Sequence, residues 1–435
     1  MYSATFDLLY GIPFVGLLLS IALMPLIAPH FWHRFYGLIT DGWAVALSVI
    51  IGLHFGAGFL AHVLVEAVLH HYLPFVMLIG ALYVVAGGLH VEVRGQPSAG
   101  FNTLWMLAGT VAAGFIGTTG AAMLFIRPLL NLNQERAQRQ HLALFFLLLV
   151  CNIGGGLSTI GDPPLFVGYL QGVDFMWPTI HLFLPVVCMA IPLLIAFWLY
   201  DRRLLGVHRF TKVKIKVSGT HNLLLLLIIV ASLVGFGALN LGKLELAGVK
   251  LAIEDFVREV LFALIALISV RFIAPKARRA NEFSWAPISE VARVFLAIFI
   301  TATPVIAMLD QGLEGPFAPL LQIVNKDGAP HADLYFWLTG LLSAFLDNAP
   351  TYLVFFHMAG GDAQYLMTAG AAVLTAISCG AVFMGAMSYI GNAPNFMIKA
   401  IAEERGIAMP SFFGYMVFAF SAMAIPLALV AFLFF

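Results

Sequence analysis

Residues able to hold a hard cation gather at two short breaks in otherwise apolar runs. Asn152, Ser158, Thr159 and Asp162 lie in NIGGGLSTIGDPP, 152–164, and Ser388, Asn392 and Asn395 lie in SYIGNAPNF, 388–396. Oxygen ligands of this kind suit Na⁺ or H⁺ and not soft transition metals. Gly154, Gly155 and Gly156 are poor helix formers and let backbone carbonyls approach a ligand. Pro163 and Pro164 lack N–H donors, so a helix restarts there but does not run through. A carboxylate such as Asp162 near the bilayer centre costs roughly 2.5 kcal/mol or more, so it should be protonated or paired with a cation. The alternative role, N-cap of a half-helix starting at Pro163, is compatible with ion binding. Ser or Asn would cap without the charge cost.

Asp347 is the second intramembrane carboxylate. It sits in AFLDNAPTY, 344–352, beside Asn348, Pro350 and Thr351, and GTTG at 117–120 supplies Thr118 and Thr119. Of the 22 acidic residues, only Asp162 and Asp347 lie clearly at membrane depth in this reading. The expectation is two half-sites for sodium, Asp162 facing Thr118 and Thr119, and Asp347 facing Asn392 and Asn395.

These residues need a membrane scaffold to position them, and composition supplies it. Of 435 residues, 61% are apolar and 10% charged, and runs of eighteen or more apolar residues recur from end to end. The reading is an all-α polytopic membrane protein surrounded by lipid. Zero formal net charge offers no nucleic-acid signature, and three dispersed cysteines argue against a disulfide framework. Residues 8–28 lack a basic leader and a cleavage-type ending, so they read as a first span.

About ten full spans are expected: 8–29, 42–65, 72–90, 141–170, 178–200, 221–241, 256–275, 291–310, 368–402 and 411–434. Stretches 97–131 and 333–362 have turn-forming residues in their middles and read either as spans or as hairpins that enter and leave on one side. Lys and Arg collect on the cytoplasmic face. With both stretches re-entrant, all 22 basic residues except Lys243, Lys250, Arg258 and Lys326 share one face; as full spans the split is 14 against 8. Two re-entrant hairpins are therefore expected, with both termini periplasmic in a bacterial inner membrane.

Internal symmetry supports the same plan. IGDPPLF at 160–166 aligns with IGNAPNF at 390–396, an offset of 230 that also places Gly117 on Asp347. After a four-residue insertion, Gly172-Val173 meets Gly406-Ile407. The organisation is then scaffold spans at 1–71, a first repeat at 72–200, a basic loop and two linking spans at 201–289, and a second repeat at 290–435. Each repeat comprises a span, a hairpin, a broken helix and a span. Five crossings separate equivalent points, so the repeats are inverted, the plan of many secondary transporters with discontinuous helices. Span 141–170 as one helix would be ~45 Å long against ~30 Å of hydrocarbon, leaving length for an unwound middle.

Other polar residues carry weaker signals. His54 and His62 on the second span read as packing residues before proton relays. Arg127 before Pro128 reads as an anchor of the first hairpin before an anion ligand.

At NIGGGLSTIGDPP, LDNAPTYLVFF (346–356) and YIGNAPNFMIKAIAE (389–403), the chain resembles the ion transporter superfamily. Within it, the likeness is to the branch of NhaD-type sodium/proton antiporters, arsenite permeases and citrate-transporter-like proteins. The resemblance implies a homodimer whose scaffold holds a mobile transport domain of two hairpins and two broken spans, moving as an elevator. It also implies a Na⁺ or H⁺ gradient as the energy source and no bound prosthetic group. Dicarboxylate members carry Ser-Asn-Thr at both tips, where this chain has Gly-Thr-Thr and Asp-Asn-Ala-Pro-Thr. NhaD-type members carry hydroxyl residues after the break aspartate, where this chain has Pro163 and Pro164.

The leading expectation is antiport of Na⁺ for H⁺. The alternative is cation-coupled transport of an organic anion such as citrate, or arsenite efflux, with half-helix ends at Pro163 and Pro394 holding the anion. An enzyme is not expected, since no nucleophile–base pair or metal-ligand cluster is legible.

Overall fold

Proline and glycine set most of the helix ends. The computed structural model describes residues 6–205, 211–237, 239–246, 248–272, 275–325 and 330–435, apart from the side chain of His33. Arg209 and Lys326, both used in the charge comparison, lie outside the described residues. The described chain is nearly all helix, and eight segments are long and apolar enough to cross a membrane. It is a polytopic all-α membrane protein.

Helices α1 (Ile12–Ile27) and α2 (Pro29–Phe55) are joined through Ala28 alone. Gly56, at φ 85°, ends α2, and α3 (Ala57–Glu66) follows. The expected second span at 42–65 is thus displaced toward the N-terminus. Pro29 is preorganised for a first helical turn, and Gly56 takes a backbone conformation that side-chain-bearing residues avoid. His62 consequently falls on α3. One π-helical turn, Ala67–Tyr72, leads into α4 (Leu73–Gly87).

Helices α5 (Ala99–Ile116) and α6 (Thr118–Leu132) fold back on each other at Gly117, φ 75°. Trp105 Nε1 donates to the Phe125 carbonyl at 3.0 Å, and the Asn102 and Asn133 amides bond reciprocally at 3.1 Å near the open end. Then come α7 (Gln140–Leu149), a 3₁₀ turn at Ile153–Leu157, α8 (Pro163–Leu170) and α9 (Trp177–Leu205). The connecting region holds α10 (His221–Gly237), α11 (Ile253–Phe272) and α12 (Pro275–Ala280), followed by α13 (Ala286–Leu309) and α14 (Ala318–Val324). The second hairpin is α15 (Ala332–Phe345) and α16 (Asn348–Met358), closed by Tyr335 Oη donating to the Met358 carbonyl at 2.9 Å. After α17 (Ala363–Met367) come α18 (Ala371–Met384), a 3₁₀ turn at Gly385–Met387, α19 (Ala393–Glu404) and α20 (Phe412–Phe434).

Two short ribbons complete the described elements: β1 (His90–Arg94) against β2 (Lys214–Ser218), and β3 (Lys243–Leu246) against β4 (Val249–Ala252), both antiparallel. The first ribbon joins the end of α4 to the start of α10. Trp177 Nε1 donates to the Met367 carbonyl at 3.2 Å, joining the start of α9 to the end of α17. In each hairpin the second helix packs back along the first, so α5–α6 and α15–α16 each begin and end on the same side.

Helices α7 and α18 occupy the centre. Every residue from His141 to Val150 and from Val373 to Met384 is buried. A helix that is apolar all round must be enclosed by protein or lipid; here protein encloses it. Helices α1 and α20 turn broad apolar faces outward instead, Phe432 being 84% exposed.

Candidate ion site at the helix breaks

The two breaks share one backbone design. A Cβ on Gly161 would stand 2.2 Å from the Gly155 carbonyl oxygen, and one on its repeat mate Gly391 would stand 2.6 Å from that of Gly385. Only glycine permits this approach, and it folds each break tightly enough to turn the N-cap of the next half-helix inward. Gly172 and Gly406, at φ 97° and 71°, then end the two half-helices in the left-handed conformation.

Asp162 caps the start of α8 with an extended backbone, and its side chain is free of the usual capping bond. The carboxylate, 1% exposed, turns instead to three other helix starts. Oδ1 accepts from Thr118 Oγ1 and Asn392 Nδ2, both at 2.8 Å, and Oδ2 accepts from Asn348 Nδ2 at 2.6 Å. Thr118 opens α6, Asn348 opens α16, and Asn392 caps α19. Four helix N-termini therefore converge on one carboxylate, each carrying a partial positive charge. No Lys or Arg is bonded to Asp162 among the described residues.

The two asparagine amides leave their oxygens over. Asn348 Oδ1 and Asn392 Oδ1 are both buried and accept from no donor. Such atoms are uncommon in folded proteins and call for an explanation. Half a turn of each amide exchanges its NH₂ for its oxygen at little change of shape. Two amide oxygens would then join both Asp162 oxygens and the Thr118 hydroxyl around one point. Beside them lies a cavity of about 40 Å³, walled by Thr118, Thr119, Asp162, Leu82 and Phe166. That is room for a water molecule or a bare ion.

The remaining candidate residues support this ring from outside. Asn152 Nδ2 donates to Asn395 Oδ1 and to the Leu147 carbonyl, both at 2.8 Å, and Asn152 Oδ1 accepts from Asn392 at 3.3 Å. Asn395 in turn donates to the Gly385 and Ser388 carbonyls at 2.9 and 2.8 Å. Ser158 donates to the Gly114 carbonyl and Thr159 to that of Phe175, pinning the first break to its neighbours. Ser388 Oγ accepts from the Ile390 and Gly391 amides at 3.2 and 3.1 Å.

Asp347 does not take the place expected of it. Its carboxylate accepts from the Ala349 amide at 3.1 Å as the N-cap of α16, and its carbonyl accepts from Thr351 Oγ1 at 2.9 Å. The neighbour Asn348 reaches the centre instead, and Asn395 bonds to Asn152. The cause is register: the offset of 230 puts Asn348, not Asp347, on Thr118. One central carboxylate with Asp347 at its margin replaces two separate half-sites.

Sequence reading also missed three ionic groups, two of them buried and the third with a buried histidine. Asp201, fully buried on α9, accepts from Asn102 at 3.0 Å and pairs with Arg136 and His141 at 2.7 and 2.8 Å, fastening the open end of the first hairpin. Arg258 and Glu259, 3% and 5% exposed, pair on α11 at 3.4 Å. Asp310 pairs with His357 at 2.7 Å. Each lies near a helix end, where a charged residue reads as solvated, and each partner set is distant in sequence or looks incidental. Arg127 bonds Glu282 at 3.1 Å, and His54 Nδ1 bonds Tyr10 Oη at 2.6 Å.

No curated protein matches the chain in sequence comparison. Residues 3–435 match the family described as "Putative citrate transport", which covers nearly the whole length, and the chain belongs to that family.

Proposed function

We propose that this secondary transporter binds Na⁺ and H⁺ in alternation at Asp162 and exchanges one for the other across the membrane. The observation that carries this reading is the buried carboxylate ringed by Thr118, Asn348 and Asn392, two of which hold back unpaired amide oxygens. With no ion bound, the amide and hydroxyl donors stabilise the carboxylate. A Na⁺ ion would draw the two amide oxygens inward and complete an oxygen cage. A proton on Asp162 would be donated to one of the same oxygens. Either occupant neutralises the site, so the domain holding both hairpins and both breaks can move as an elevator without an exposed charge in lipid. An unoccupied carboxylate resists that movement, which keeps the two fluxes coupled.

Proton and cation compete for one set of oxygens. Apparent Na⁺ affinity therefore falls as pH falls, by about tenfold per pH unit once the protonated form dominates. Flux of labelled Na⁺ into proteoliposomes under an imposed pH gradient tests the reading. Exchange should be present in the wild type and lost in Asp162→Asn. Normal exchange in that variant would overturn it.

The family match and the four converging helix N-termini favour a second reading, cation-coupled uptake of a carboxylate such as citrate. An anion near those N-termini would be held by backbone dipoles without any Arg. Citrate-dependent thermal stabilisation that Na⁺ alone does not reproduce would favour it over antiport.

A further inference from the structure

A cavity of about 830 Å³ opens around the start of α7, bounded by α9, α20 and the chain at 406–410. Leu144, Phe145, Ala196, Leu204, Phe418 and Ala422 give it apolar walls. Its polar lining is Gln138, Arg139, Gln140 and His141 at the start of α7, with Tyr200 near the end of α9.

Arg139 is the N-cap of α7. A helix N-terminus is its positive end, where an anion is favoured and a cation is not. No acidic residue lies in the first turn of α7, and no side chain caps it. The half-buried Arg139 forms no ion pair among the described residues; its Nη2 donates to the Arg405 carbonyl at 3.3 Å. Two positive features therefore meet at the cavity with no negative group between them. His141, 4% exposed, also lines it, with Nδ1 buried and unpartnered and Nε2 on Asp201 at 2.8 Å.

The neighbourhood is basic as well. Within 135–139, 201–203 and 399–405, Arg136 pairs with Asp201 and Lys399 with Glu403, which leaves four arginines against Glu135 and Glu404. Basic residues collect on the cytoplasmic side of a membrane protein, where the leaflet is rich in anionic lipid. Beyond the cavity, α9 and α20 continue as exposed apolar surface, with Ile195 53% and Ile425 79% exposed. A ligand that fits must join a negative head to an apolar body.

We propose that this cavity binds an anionic phospholipid of the cytoplasmic leaflet. Its phosphate accepts from the Arg139 guanidinium and from the amides at the start of α7, which have no partner within the helix. An acyl chain lies against Phe145, Ala196, Phe418 and Ala422. The lipid fastens α7, α9 and α20 to one leaflet, whichever ion or substrate Asp162 takes.

Native mass spectrometry of the full-length, delipidated protein tests this, with phosphatidylglycerol and phosphatidylcholine of equal chain length as probes. Wild type should bind one phosphatidylglycerol about tenfold more tightly than phosphatidylcholine, and Arg139→Gln should remove most of that preference. Arg139→Lys should retain part of it, and Arg34→Gln, at an exposed arginine outside the cavity, should leave it unchanged. Ser421 is exposed on α20 at the cavity, so Ser421→Trp fills the acyl slot without changing charge and should weaken phosphatidylglycerol binding by a similar factor. Equal affinity for the two lipids, or an equal loss in Arg34→Gln, reduces the effect to a basic surface and overturns the proposal. Displacement of the lipid by millimolar inorganic phosphate, with no effect of Ser421→Trp, assigns the cavity to a soluble anion and overturns it. A dimer that dissociates in Ser421→Trp while lipid binding is unchanged gives the cavity to a second copy of the chain and also overturns it. If the melting curve shows that Arg139→Gln does not fold, Ser421→Trp decides alone: unchanged phosphatidylglycerol binding there sinks the site.

Discussion

Asp162 and Asn392 are repeat mates, 230 residues apart, and they are hydrogen-bonded to each other at 2.8 Å. Thr118 and Asn348 are mates as well, and they reach opposite oxygens of the same carboxylate. The two copies of the sequence repeat therefore meet at the candidate site, and a single negative charge distinguishes them.

That placement makes a charge swap informative. Asp162→Asn should abolish exchange, by roughly a hundredfold or more if one carboxylate supplies about 3 kcal/mol of charge-assisted bonding. The double variant Asp162→Asn/Asn392→Asp moves the carboxylate to the mate position, one hydrogen bond away. Labelled Na⁺ flux should return to at least a tenth of wild type. If the double variant is no better than the single one, the two copies of the repeat are not equivalent for the ion.

The glycines of the breaks make a prediction about stability. A Cβ on Gly161 or Gly391 meets a carbonyl oxygen at 2.2 or 2.6 Å, and backbone cannot move aside as a side chain does. Gly161→Ala and Gly391→Ala should each cost about 1–3 kcal/mol of stability or more through overpacking, read as a lower melting temperature in detergent. Gly80→Ala is the control. Nothing lies within 4 Å of a Cβ there, so helix propensity should leave stability equal or higher.

Much of this geometry was legible because it rests on local chemistry repeated at a fixed offset. Gly-Asp-Pro-Pro and Gly-Asn-Ala-Pro announce a broken helix that restarts, and both did so at Pro163 and Ala393. The lysines and arginines implied the fold-back at Gly117, where α5 and α6 do turn back and pack against each other. Pairing between the repeats was less legible. Asp347 looked like a partner of the Asn392 break because it is a carboxylate, yet helix start and register hand the position to Asn348. Asp201 was illegible for another reason. Its neighbours Asn102, Arg136 and His141 come from two segments sixty or more residues away, and nothing near WLYDRR signals that the charge is enclosed.

Asp347 offers a separation of capping from ion binding. Asn caps a helix as well as Asp, whereas Ala costs about 1 kcal/mol. Asp347→Asn should leave the melting temperature unchanged and Asp347→Ala should lower it. If Asp347 also contributes charge to the ion path, Asp347→Asn should still slow Na⁺ exchange at saturating Na⁺. Wild-type flux in Asp347→Asn would restrict this residue to its cap.

The Asp201 network predicts a cost that transport assays would misassign. Asp201 is fully buried, and its partners Arg136 and His141 are 7% and 4% exposed at their side chains. Removing one member of a buried pair leaves the other charge uncompensated, at about 3–5 kcal/mol. Asp201→Ala should therefore lower thermal stability sharply and reduce flux through loss of folded protein. Replacing both charges avoids the orphan, so Arg136→Met/Asp201→Asn should recover a large part of the melting temperature. The site residues lie at the other end of the first hairpin, so the recovered double variant should exchange Na⁺ at a rate per folded molecule close to wild type. A double variant as unstable as Asp201→Ala would show that the hydrogen bonds to Asn102 and His141, and not charge pairing, hold this end together.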